Sequence, residues 1–300
     1  MSKNKKSSEI SENEELARKN LAKAKLIDGM TAYVISLVLF ACAYGFLTDI
    51  IGVWALLAAS ALSVGTVLAL VKLTGLKFSS VLRFSAPKNR ETVGCALSLA
   101  SALVVSMPLI LISHIIAPRL AVTSFNIYSI VDMKGGTPLV ILLIVLMALC
   151  ENFLFDGYIY SRFKGIKSTA LRATVISLMA SVIRLDLYAI PTVFVMSIAA
   201  FSVRKMTDSM TLALVIRLCS TSFVMAMTSL SASADGLVGE SMGSVQVIGL
   251  ALIFVGIALP SSAGALGVFG KLGENGRLVG FASAICAILL IATGCGIASL

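Results

Sequence analysis

Charged and amide side chains interrupt the apolar stretches in the middle of the chain. Glu151, Asn152 and Asp156 fall within one such stretch, Arg184 ends the next, and Arg217 interrupts a third. A charge at membrane depth costs about 2.5–3.5 kcal/mol on insertion scales, so these residues are candidate functional groups. A carboxylate could serve as a general base or a metal ligand, and a guanidinium could hold a carboxylate.

Charge balance predicts how these groups are arranged. An isolated Glu151 or Arg217 would be unstable in hydrocarbon, whereas a pair between Glu151 and either Arg217 or Arg184 would be tolerated. Thr221 lies one helical turn after Arg217 and shares its face. We therefore predict that the three helices carrying these groups meet around them. Such a cluster could be a functional site or only a structural polar pin.

The composition sets the environment in which these residues act. The 300 residues are 58% hydrophobic and 13% charged, with a mean hydropathy of +0.99, against roughly 25% charged residues in soluble domains. Apolar runs of about 20 residues are long enough to cross the hydrocarbon core. The sequence thus predicts an all-α, polytopic transmembrane bundle of about nine helices. The candidate helices cover approximately 30–48, 52–71, 93–117, 138–160, 168–186, 187–204, 209–230, 244–262 and 278–298.

The predicted division leaves a short polar segment ahead of the membrane domain. Residues 1–28 alternate Lys and Arg with Glu and Ser and contain few large apolar side chains, which predicts a solvated, disordered cytoplasmic tail. Residues 29–300 form the predicted transmembrane domain. The fifth and sixth candidate helices are separated by few polar residues, so a count of eight is the alternative.

The basic residues predict an orientation. On the predicted inner side Lys and Arg number seven in 1–28, five in 72–92, four in 162–172, two in 204–208 and two in 263–277. The other side carries Arg119, Lys134 and at most Arg184. The positive-inside rule then places the N-terminus in the cytoplasm and the C-terminus outside a plasma membrane. The net charge of +9 is explained by topology, and no nucleic-acid partner is expected.

Cysteine and histidine give no sign of a metal site. The six cysteines all fall in apolar segments without a C-x-x-C pair, and His114 is the single histidine. This pattern favours neither a disulfide framework nor a zinc centre. We expect no metal and no cofactor.

The helix order and the polar positions together resemble the CAAX protease and bacteriocin-processing (CPBP) family of intramembrane proteases. That family carries Glu-Glu-x-x-x-Arg on one helix, Phe-x-x-x-His on the next and His-x-x-x-Asn on a later one. The matching stretches here are ENFLFDG at 151–157, ASVIR at 180–184 and RLCST at 217–221. The resemblance covers approximately residues 138–228 and implies a CAAX prenyl protease-like core.

The departures from the family motifs change the implied chemistry. Asn152 stands where the family has its second Glu, Asp156 replaces Arg, Arg184 and Arg217 replace the two His, and Thr221 replaces Asn. In the family the glutamates and histidines activate a water or hold a metal. Arginine stays protonated and has no acceptor, so it does neither. The resemblance therefore implies a catalytically inactive relative.

Three functions remain open from the sequence. The first is an inactive relative with a binding, bacteriocin-immunity or regulatory role, whose partners are bilayer lipid and a peptide or lipidated peptide. It would keep Glu151, Asn152, Arg184 and Arg217 at the family's catalytic positions, with Asp156 and Thr221 as binding residues. The second is an active CAAX-type endopeptidase that uses Glu151. The third is a small multi-pass transporter.

Overall fold

A computed structural model describes most of the chain, and that part is helical without a strand. The described ranges are 2–51, 54–116, 136–184, 189–233, 244–270 and 276–298. The helices are α1 (Ser2–Ile51), α2 (Trp54–Leu73), the short α3 (Phe78–Val81), α4 (Asn89–Ile116), α5 (Gly136–Glu151), α6 (Thr169–Val182), α7 (Ile190–Thr207), α8 (Met210–Ser233), α9 (Ser244–Val268) and α10 (Gly276–Ala298). The predicted all-α class is confirmed for these ranges.

Seven helical segments in the described ranges are long and apolar enough to cross a membrane. They are Asn20–Leu47, Trp54–Leu73, Asn89–Ile110, Gly136–Gly165, Ile190–Thr207, Ile248–Val268 and Val279–Ala298. Helix α6 has 14 residues, fewer than the about 20 that a full crossing needs. The helical membrane bundle is thus confirmed with seven candidate spans, and nine crossings stay a prediction.

The boundaries around α6 and α7 have local causes. The Ser168 hydroxyl accepts a hydrogen bond from the Leu171 amide at 3.2 Å and caps the start of α6. Pro191 lies in the first turn of α7, where its missing amide hydrogen costs no bond. Asp208 ends α7 with a left-handed φ of 51°. The described ranges thus contain two separate helices here, as the nine-helix division predicts.

The backbone is helical where the sequence predicts a solvated tail, and the disorder of residues 1–28 stays a prediction. Helix α1 is continuous from Ser2 into the first membrane segment. The tail is rich in Glu, Lys, Ala and Leu, all of which have high helix propensity. A low content of large apolar residues argues against a packed core, but it does not prevent an extension of a helix that the membrane already holds.

Contacts between loops gather the basic segments at one end of the bundle. Arg83 forms an ion pair with Asp208, and Arg90 donates a hydrogen bond to the Val268 carbonyl. Arg162 pairs with Asp28 at 2.7 Å, and Lys205 donates to the Thr169 hydroxyl at 2.9 Å. These contacts join the loops that the positive-inside rule assigns to one side. Arg119 and Lys134 lie outside the described residues.

The segment between α2 and α4 is docked on the bundle. Val81 is buried, and Leu76 and Leu82 pack against the largest core cluster. The Met210 amide donates to the Arg83 carbonyl at 2.9 Å. This segment is therefore a fixed part of the basic end, and it contains only the one short helix α3.

The bundle has an inner group of helices and an outer layer. Helix α5 packs against α2 and α8, while α7 packs against α4, α6 and α8. Helix α9 lies against α4, and α10 packs mainly against α9, leaving most of its surface exposed. The candidate site residues lie on α5, α8 and the end of α6, within the inner group.

Two glycines allow the backbones of α9 and α10 to approach closely. A Cβ atom on Gly294 would lie 2.5 Å from the Gly249 carbonyl oxygen and 3.0 Å from the Ile253 amide nitrogen. Small residues permit such close packing of membrane helices. The hairpin therefore depends on the missing side chain at this position.

We expect Gly294→Ala to destabilise the protein by about 1–3 kcal/mol, because backbone atoms can make room only if the helices separate. Thermal unfolding of the purified protein in detergent measures this change. Gly280→Ala is the matched control on the same helix, since its Cβ would meet nothing within 4 Å. Equal melting temperatures for the two variants would contradict the close packing.

Candidate functional site

The candidate site is built on a change of helix type. Helix α5 ends at Glu151 and continues as a π-helix over Asn152–Ile159, followed by an α-helical turn at Tyr160–Arg162 and a 3₁₀ turn at Phe163–Gly165. Hydrogen bonds in a π-helix join residues five apart, and such segments occur frequently at functional sites. Glu151 and Asp156 are five residues apart.

The π-helix decides where the two carboxylates point. In an α-helix, residues five apart differ in direction by about 140°. The wider turn brings Glu151 and Asp156 to similar positions around the axis. One guanidinium, that of Arg217 on α8, accordingly lies within ion-pair distance of both carboxylates.

The buried guanidinium of Arg217 contacts several hydrogen-bond acceptors and one aromatic ring. Its Nε donates to Asp156 Oδ2 at 2.9 Å and its Nη2 to Asp156 Oδ1 at 3.4 Å, a two-point contact. Its Nη1 donates to the Ser197 hydroxyl on α7 at 2.7 Å and lies 3.5 Å from Glu151 Oε2. The Arg217 guanidinium carbon also lies 5.7 Å from the centre of the Phe155 ring.

Arg184 holds the other oxygen of Glu151. Its Nε donates to Glu151 Oε1 at 2.6 Å, and its Nη2 donates to the Thr221 hydroxyl at 2.9 Å. Arg184 follows the end of α6, so this contact ties α6 to both α5 and α8. The predicted meeting of the three charged helices is confirmed, and Glu151 contacts both arginines rather than one.

Because the charged side chains of the site are buried, their charges must be balanced by one another. Asp156 is 0% exposed, Arg217 is 1% exposed and Glu151 is 5% exposed. A buried charge is tolerated only when it is paired and hydrogen-bonded. Two carboxylates face two guanidinium groups, so the four-residue charge network, defined as Glu151, Asp156, Arg184 and Arg217, is formally neutral.

Two acceptor atoms near the network have no hydrogen bond among the described residues. Glu151 Oε2 is near Arg217 but accepts no hydrogen bond, and Asn152 Oδ1 has no partner. The Asn152 amide nitrogen donates to the Met210 carbonyl at 3.4 Å. Asn152 therefore contacts the start of α8 and stands beside the charge network rather than in it.

A small cavity of about 30 Å³ lies against the Glu151–Arg184 pair. Ser60 and Ser63 of α2 contribute polar groups to its wall. The remaining lining residues are Phe40, Met147, Cys150, Leu154, Phe155 and Ile183. The cavity is therefore apolar with one polar wall.

No family model, curated protein or solved structure matches this sequence significantly.

The residues present do not fit a metal ion. Metal ligands must offer free lone pairs, and the guanidinium groups of Arg184 and Arg217 have none. No cluster of three His, Cys, Asp or Glu side chains occurs within the described ranges. Both carboxylates are instead paired with arginine, so no step of the site's chemistry is derived through a metal.

Several contributors to the site carried no clear sequence signal. Ser197 is one hydroxyl among several on α7, and nothing in its spacing marks it as a partner of Arg217. Arg204 donates from its Nε to the Asp156 carbonyl at 3.0 Å, although the sequence places it among loop charges. The π-helix was also unforeseen, because its composition resembles that of any apolar helix.

We expect Glu151 and Arg184 to be strongly coupled in stability. Glu151→Gln or Arg184→Gln alone leaves an uncompensated buried charge, for which the expected cost is about 3–5 kcal/mol. The double variant should cost clearly less than the sum of the single variants. Thermal or denaturant unfolding of all four proteins in detergent measures the cycle.

A matched pair of exposed residues provides the control for this cycle. Lys205→Gln and Thr169→Ala remove a hydrogen bond at an exposed position and should change stability little. Additive costs for the Glu151 and Arg184 variants would contradict the coupling.

Proposed function

We propose that the protein is an intramembrane binding protein on a CAAX prenyl protease-like core, in which hydrolysis has been lost. Its ligand is a peptide or lipidated peptide, and its role is immunity to a bacteriocin or regulation. The single observation that supports this proposal is the pair of surroundings in which the Glu151 carboxylate lies. This carboxylate lines an apolar cavity while an arginine holds one of its oxygens.

The pairing argues against Glu151 as a general base. A base must accept a proton from a water and then release it. Glu151 Oε1 already accepts a hydrogen bond from Arg184, and Arg217 adds a second positive charge nearby. The site is thus better suited to holding a ligand than to proton transfer.

The same geometry defines which ligand the cavity would accept. Its wall, with Phe40, Met147 and Ile183 among the lining residues, offers apolar contacts to part of a ligand's hydrocarbon. Glu151 Oε2 lacks a hydrogen bond and could accept one from a peptide N–H. A buried acceptor gains most from such a bond because leaving it unmade is costly. A peptide bearing an apolar group satisfies both requirements.

The orientation follows from the basic end of the bundle. The loops joined by the Arg83–Asp208, Arg162–Asp28 and Lys205–Thr169 contacts carry most of the described loop cations. We assign this end to the cytoplasm of a plasma membrane by the positive-inside rule. The N-terminus is then cytoplasmic, and the C-terminus lies outside if α10 crosses the membrane.

Binding of a fluorescent farnesylated peptide to the purified protein in nanodiscs tests the proposal. We expect saturable binding and a peptide of unchanged mass after prolonged incubation. Ser63→Leu should weaken binding about tenfold or more, because a larger side chain fills the cavity that Ser63 lines.

Ser222→Leu is the matched control. Each serine donates its hydroxyl hydrogen to the carbonyl four residues earlier in its helix, but Ser222 is exposed. Binding that is absent, or equally affected by both variants, would overturn the proposed cavity. Peptide cleavage that disappears in Glu151→Ala would instead establish an active endopeptidase.

A further inference from the structure

A second polar cluster lies outside the charge network, around the ring of Tyr160. Three cations approach this ring: the guanidinium carbons of Arg204 and Arg172 lie 5.0 and 5.3 Å from its centre, and Lys164 Nζ lies 5.7 Å away. The Phe201 ring packs edge-on against Tyr160 at 5.6 Å, and Arg172 lies 5.5 Å from its centre. We call Lys164, Arg172, Arg204 and Tyr160 the basic cluster.

Among the described residues, the anions near this cluster pair with only part of its positive charge. Arg204 donates to Asp208 at 3.1 Å and to the Asp156 carbonyl. Asp208 is already shared with Arg83. Neither Lys164 nor Arg172 forms an ion pair within the described ranges, and the buried Nε of Arg172 has no hydrogen-bond partner there. Within the described ranges, two positive charges are therefore without an ion pair and one buried donor is without an acceptor.

The position of the cluster favours an anion of one kind. Lys164 and Tyr160 lie at the end of the span Gly136–Gly165, Arg204 lies at the end of α7, and Arg172 lies in the first turn of α6. All belong to the basic end of the bundle, at the level where a span meets the headgroups. Arginine and lysine there bind phosphate through charge-assisted hydrogen bonds. Basic pockets between membrane helices bind anionic headgroups in the same way.

We propose that the basic cluster is a binding site for a phosphate group, with Arg172 and Lys164 as its principal donors. The phosphate would be that of an anionic phospholipid headgroup or a soluble phosphate. Tyr160 and Phe201 fix the Arg172 guanidinium by stacking, which lowers the entropy lost on binding. This site is separate from the cavity beside Glu151 and does not depend on the function proposed for it.

Nanodiscs of two lipid compositions test the lipid source. The purified protein is placed in phosphatidylcholine alone or with phosphatidylglycerol, and the retained lipids are measured by native mass spectrometry. We expect phosphatidylglycerol to be retained in preference, and Arg172→Gln to weaken this retention about tenfold. Lys164→Gln should act in the same direction, and because Lys164 is exposed this variant does not threaten folding.

Titration with inorganic phosphate in phosphatidylcholine nanodiscs tests the soluble source. Phosphate binding that Arg172→Gln weakens, without a preference for phosphatidylglycerol, would assign the site to a soluble ligand. Arg90→Gln is the control, since Arg90 is an exposed arginine bound to a carbonyl oxygen elsewhere at the same end. The proposal is overturned if neither probe binds, or if Arg90→Gln and Arg172→Gln weaken binding equally.

Discussion

The contact of Arg217 with two carboxylates inside the bundle is the interaction on which the inner helices depend. Hydrocarbon offers no water to solvate a charge, so each of these groups needs the other at close range. Satisfying Arg217 requires Asp156 and Glu151 from the α5 segment and Ser197 from α7. Arg184 then extends the requirement to the end of α6. A shift of any one of these helices would leave a buried charge without its partner.

The π-helix is the local structure that brings both carboxylates within reach of Arg217. A regular α-helix would turn Glu151 and Asp156 apart, and one of them would face apolar side chains without a cation. The sequence reveals the charges and their number, and charge balance alone predicts that they meet. It could not reveal the extra width of the turn, because i to i+5 hydrogen bonds leave no pattern in residue type. Residue type also does not reveal that both Arg184 and Arg217, rather than one of them, contact Glu151.

In other parts of the fold, too, the residue pattern predicts the helices but not the contacts between distant segments. Apolar runs bounded by charges predicted the long helices, since the bilayer itself imposes their length and composition. The docking of Val81 and Leu82 depends on packing against distant residues, which no local pattern records. The helical start of α1 shows that a solvated segment can extend a helix that is anchored elsewhere.

The two halves of the charge network differ in a way that bears on function. A purely structural pin would satisfy every buried polar atom, as the two-point contact between Arg217 and Asp156 does for that carboxylate. Glu151 differs from Asp156: its Oε1 is held by Arg184, while its Oε2 lies 3.5 Å from Arg217 Nη1 without a hydrogen bond among the described residues, and the residue lines a small cavity. A buried acceptor without a hydrogen bond is costly, so a ligand that donates one to Glu151 would gain more than one that approaches Asp156. In the proposed function, Asp156 with Arg217 is therefore the structural pin, and Glu151 with Arg184 is the ligand site.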